Sequence, residues 1–130
     1  MNKKENFYIL LKLAREHQTR CSKAWLVGEC VIFVECKEDA AIEIEDAKED
    51  MQLSEELMEG VSCYGTIVNM ANIKSISKDA RDWFSQVQND NPRNVCVALI
   101  VNSFYTRIIA NFFLGFANTR TEMKIFNKKE

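Results

Sequence analysis

Residues 94–118, NVCVALIVNSFYTRIIANFFLGFAN, constrain the fold of this chain more than any other stretch, because a continuous apolar run turns at Asn102-Ser103 into a helix rich in Phe and Ile. Residues 95–101 show no polar alternation, the pattern of a strand covered on both faces, which calls for helices packed on a largely parallel sheet. Residues 22–27 and 30–37 read as strands joined by a Gly28-Glu29 hairpin signal. Residues 42–59 place Ile44, Ala47, Met51 and Met58 at helical spacing, with acids on the remaining surface and Gly60 as the stop.

Residues 63–70 form the third expected strand. A loop punctuated by Ile73 and Ile76 leads to Ser77, a good N-cap for a helix through Lys78, Ala80 and Phe84. Asn89-Asp90-Asn91-Pro92 is a turn signal ahead of the 95–101 strand. Ser103 caps a third helix. Its Ile108, Ile109, Phe112, Phe113 and Phe116 cover a wide arc, so little of it is expected to meet water. Residues 121–126 are a last strand, and Asn127 resembles a cap. Strand–helix–strand repeats after an initial hairpin predict an α/β fold with a mixed, mostly parallel sheet of about five strands.

A chain of 130 residues with ordinary apolar and charged fractions suits one core. Asn102, Ser103, Thr106, Arg107 and Asn111 interrupt the longest apolar stretch, well short of the roughly 20 uninterrupted residues that span a bilayer. Residues 1–21 are expected to be an N-terminal arm, helical through Phe7, Ile9, Leu10, Leu11, Leu13 and Ala14, and a possible dimer contact. Charged Lys12, Arg15 and Glu16 follow its apolar cluster and no small-residue cleavage site appears, so the cytoplasm is expected.

Five cysteines, an odd number without a CxxC pair, read as free thiols. Cys96 is placed inside the apolar strand, and Cys21 or Cys63, at element edges, are the likelier reactive ones. With one histidine, His17, and no clustered thiols, neither a zinc site nor another cofactor is expected. Charge is uneven: residues 35–59 hold eleven acids against Lys37 and Lys48, whereas residues 1–23 and 93–130 each carry six bases against two acids. The acidic stretch is either a solvated helix face or a docking surface for a basic partner. Scattered bases without an RNA-binding aromatic motif argue against a nucleic-acid partner.

VNMANIKSISKDARDWF, then CVALIVNSFYTRIIANFFLGF, then KIFN, resemble the small bacterial STAS-like proteins, described as SpoIIAA-like and related to anti-sigma factor antagonists. The likeness covers roughly residues 22–127 and is most specific around Ala80-Arg81-Asp82-Trp83 and in the Asn102-Ser103, Arg107 and Asn111-Phe112-Phe113 spacing. It implies a mixed sheet carrying helices, and a regulatory, protein-binding module in place of an enzyme. Family members usually continue into a further helix, so a final C-terminal helix looks missing from the 22–130 domain. Where true antagonists carry a phosphorylatable serine at the start of the second helix, this chain aligns Asp79, with Ala80 at the usual glycine. The resemblance therefore implies that the phosphorylation switch is lost.

Lys78, Asp79 and Arg81 at that helix start are the expected partner-recognition residues. Arg107 and Asn111, four apart on the third helix, share a face and could frame a polar contact. Their plainer roles are a surface contact for Arg107 and satisfaction of a buried backbone group for Asn111. The function expected first is a noncatalytic interaction module with an unknown regulatory partner. The alternative is a small apolar-ligand or lipid binder of SEC14-like type, with Phe112, Phe113 and Phe116 lining a pocket. Self-association through the arm would be removed by deleting residues 1–20.

Overall fold

Val97, Leu99 and Val101 point to the same side of their strand, and the core is built on that side. The protein is described by a computed structural model that covers residues 15–115 and 121–127, with the side chains of 88–90 and 112–115 outside the description. The expected helix within residues 1–14, the Phe112–Phe113–Phe116 cluster and any helix after Asn127 lie outside the described residues.

The strands are β1 (His17–Gln18), β2 (Ser22–Val27), β3 (Val31–Cys36), β4 (Ala41–Ile42), β5 (Tyr64–Asn69), β6 (Ser75–Ile76), β7 (Asn94–Val101) and β8 (Glu122–Asn127). The helices are α1 (Ile44–Leu57), α2 (Lys78–Asp90) and α3 (Phe104–Gly115). Six strands form one sheet in the order β1-β2-β3-β5-β7-β8, and β4 with β6 forms a two-stranded parallel ladder. The pairs β1–β2 and β2–β3 are antiparallel, whereas β3–β5, β5–β7 and β7–β8 are parallel. The expected α/β class and mostly parallel sheet with an opening hairpin are therefore present.

Strand order advances in one direction from β3 to β8, so right-handed crossovers place all three helices on the same face. Ala47 of α1, Ala80 of α2 and Ile109 and Ala110 of α3 join Val97, Leu99 and Val101 in one cluster. Cys96 is exposed on the second face, over which no helix lies among the described residues, and Val95 is exposed at the irregularity between the Asn94 and Cys96 pairings.

Local chemistry explains the element ends. Gly28 at φ 72° opens the three-residue hairpin loop between Val27 and Val31, a conformation that favours glycine. Gly60 at φ 82° follows α1 in the same conformation. The start of α1 is fixed by Asp46, whose carboxylate accepts from Glu43 N at 2.9 Å. Ile42, expected in that helix, instead pairs with Ile76. Helix α2 runs through Asp90, past the expected start of the turn, and ends at Asn91, where the following Pro92 disfavours helical backbone.

The short strands also revise the arm. Residues 17–21 are not helical: His17 and Gln18 pair with Ala24 and Lys23, and Thr19, Cys21 and Ser22 are buried. Deleting residues 1–20 would therefore remove part of the fold, and a deletion that tests the arm must stop short of His17.

The core is not solid. Between the sheet and helices α1 and α2 lies a cavity of ≈ 150 Å³. Native interiors hold few voids larger than a water molecule.

Candidate functional site

The parallel strands β5 and β7 both deliver the chain to the same end of the sheet, one to the start of α2 and the other to the start of α3. Each start is built from local side chains. Ser77 Oγ accepts from Ala80 N at 3.1 Å, capping α2 as its sequence suggests. Ser103 Oγ accepts from Thr106 N at 3.1 Å, and Thr106 Oγ1 accepts in return from Ser103 N at 3.1 Å. Thr106 is 1 % exposed, so this reciprocal cap is internal.

The two starts are joined through one residue, Ile76. Ile76 N donates to the Tyr105 hydroxyl at 3.2 Å, while Arg81 Nη1 donates to Ile76 O at 3.0 Å. The residue that leads into α2 is thus held by α3 on one side and by α2 on the other. Around this joint, Lys78, Asp79 and Asp82 are exposed, and so are Phe104, at 81 %, and Ile108, at 50 %. Phe104 and Ile108 stand one turn apart on α3 and share a face.

The expected site residues separate into two kinds. Lys78 Nζ pairs with Asp82 at 2.7 Å across one turn, a contact between exposed side chains that raises the lysine's pKa. Asp79 lies in the first turn of α2, at the positive end of the helix dipole. Arg81 is half-buried and engaged with the backbone, so it positions the surface more than it presents charge. Arg107 donates to Asn127 Oδ1 and so ties α3 to the last strand. Asn111 is exposed and makes no hydrogen bond among the described residues.

Phe104 and Tyr105 open a helix expected from its sequence to meet little water. Their position in its first turn, beyond the sheet that covers Ile109 and Ala110, is what exposes them.

Much of the acidic stretch is used within the fold. Arg20 reaches Asp46 through Nε at 2.7 Å and Nη2 at 2.5 Å, and its backbone N donates to Glu49 at 3.0 Å. The bonds from Arg20 hold the Asp46 carboxyl below its usual range. Asp50, one turn further on, accepts from Thr19 Oγ1 at 2.6 Å and Ser22 Oγ at 3.0 Å. Burial raises its pKa, and these two hydrogen bonds act in the opposite direction. Sequence spacing gave no sign of this network, because Thr19 and Ser22 lie about thirty positions away.

The opposite end of the sheet is bound together by Arg93. Its Nη1 donates to Met58 O and Val61 O, both at 3.0 Å, and its Nη2 pairs with Glu55. The guanidinium lies 5.6 Å from the Tyr64 ring, and Asn91 donates to the Tyr64 hydroxyl at 3.0 Å and to Glu55 at 3.2 Å. Burial raises the Tyr64 pKa.

All five cysteines are free. Cys21 and Cys36 are buried, and desolvation pushes their thiols up to about 11 and about 12. Cys21 is therefore a poor nucleophile, contrary to its expected edge position, while Cys96 is exposed on the outer side of β7. Among the described residues no group of His, Cys, Asp and Glu could hold a metal ion. No described helix is long and apolar enough to cross a membrane.

The fold has a solved counterpart: an uncharacterised protein of the DUF3478 family from Shewanella loihica PV-4, with a SpoIIAA-like fold. The two share 12 % identity at a TM-score of 0.58, over 90 % of this chain and 86 % of that one. At that identity the likeness establishes a SpoIIAA-like, STAS-like fold alone. No protein of curated function matches the chain. The family model for the domain of unknown function DUF7793 matches residues 24–130, and the chain belongs to that family.

Proposed function

We propose that this protein is a noncatalytic regulatory module that binds another protein through the surface where α2 and α3 begin. Phe104 and Ile108 are its apolar anchors and Lys78, Asp79 and Asp82 its charged border. Phe104 carries the proposal: a phenylalanine 81 % exposed, one turn from a half-exposed isoleucine, costs solubility unless something covers it. Aromatic anchors ringed by polar groups are the usual source of binding energy in protein interfaces.

The serines at this end support binding over chemistry. Ser77 and Ser103 both spend a hydroxyl lone pair on capping a helix. Asp79 places a permanent carboxylate where a phosphate would otherwise sit in the related antagonists, so recognition here is proposed not to depend on phosphorylation of that position. Affinity capture with immobilised protein tests the reading. A protein retained by wild type and lost by Phe104→Asp with Ile108→Asp is expected; equal retention by both contradicts it.

A further inference from the structure

The cavity between the sheet and the helices has the makings of a ligand site. Val68, Val97 and Leu99 from the sheet, Met51 from α1 and Phe84 from α2 give it mostly apolar walls. The polar groups at its margin are largely committed. Asp50 receives Thr19 and Ser22, Ser85 Oγ donates to Arg81 O at 3.0 Å, Thr66 donates to Asn94 at 3.2 Å, and Tyr64 is held by Asn91.

Ser54 differs. It is half-buried and lines the cavity, and its hydroxyl makes no hydrogen bond among the described residues. A cavity of ≈ 150 Å³ suits a small organic molecule, since an engineered apolar cavity of about that size in another protein binds benzene. Met51, Ser54 and Phe84 are only half-buried, so access is from the helix side.

We propose that this cavity binds a small, mainly apolar molecule, aromatic or branched, that directs a single hydrogen-bonding group at Ser54. This site does not depend on the proposed partner surface.

Toluene and phenol titrated into the full chain, followed by methyl NMR shifts and thermal unfolding, test it. Both probes are expected to move the Val68, Val97 and Leu99 methyl signals and to raise the melting temperature. Ser54→Ala is expected to weaken phenol at least fivefold and leave toluene unchanged. Val68→Leu or, should that leave space, Val97→Leu is expected to weaken both probes while the protein stays folded. Absence of binding of either probe at millimolar concentration overturns the proposal, as does unchanged binding by folded variants that fill the cavity. Equal weakening of toluene and phenol in Ser54→Ala overturns the role given to Ser54.

Discussion

The two ends of the parallel strands are finished in opposite ways. At the end where the strands begin, Arg93 joins the carbonyls of Met58 and Val61 to Glu55 and packs over Tyr64, and Asn91 bonds to the same tyrosine and glutamate. Where the strands leave the sheet, α2 and α3 are fastened to each other internally, yet Phe104, Ile108, Asp79 and Asn111 face water. One end spends its side chains on holding the molecule together. The other spends Tyr105, Arg81, Ser77 and Arg107 on its joints but leaves Phe104, Ile108 and Asp79 available, as a contact surface requires.

This contrast can be broken by mutation. The largest stability loss is expected from Arg93→Ala, which leaves two carbonyls and a glutamate without their charged donor. Urea denaturation should show about 2–3 kcal/mol lost; a change under about 0.5 kcal/mol would mean that the strand-start end is not tied as described. Tyr105→Phe comes next, at about 1 kcal/mol, because Ile76 N loses its acceptor beneath the partner surface. Partner affinity should fall with it if the two helix starts act as one surface.

Smaller effects are expected from the two carboxylates of α1, and they run in opposite directions. The Asp46 pKa is lowered in the folded state, so its contribution is present above the unfolded value of about 4 and is lost as pH falls through its folded value. The Asp50 pKa is raised, so its contribution is full below about 4 and declines as pH rises towards its folded value. Urea midpoints against pH should therefore show Asp46→Asn flattening the acid loss and Asp50→Asn removing an opposing decline. Parallel curves for the two variants would contradict the assignment. The smallest stability effect, within about 0.5 kcal/mol, is expected for Ile108→Asp, whose side chain is half in water.

Long elements were legible because their patterns repeat. Strands β2, β3, β5, β7 and β8 and all three helices follow from apolar runs, caps and glycine stops, with ends displaced by a residue or two. Strands β1, β4 and β6 have two residues each, too few for any period, and exist through partners such as Ile42 and Ile76. The apolar run of residues 95–101 has a similar limit, since it reads the same whether both sheet faces or one meet helices.

At the site, Ser77 and Ser103 were readable as caps and Lys78 and Asp79 as exposed charges. Arg81 looked alike in sequence and differs in fold, because its partner is a backbone carbonyl that folding brings near. Phe104 was hidden by its own hydrophobicity. Helical spacing tells which residues share a face, but not where the sheet beneath them ends.

The most direct test of the account is capture by immobilised full-length protein of three forms: wild type, Phe104→Asp with Ile108→Asp at the helix starts, and Glu59→Lys at the strand-start end, each first shown to be folded. The account predicts a partner retained by wild type and Glu59→Lys and lost, at least tenfold, by the double variant. A partner lost by Glu59→Lys and kept by the double variant would place recognition at the other end of the sheet and contradict it.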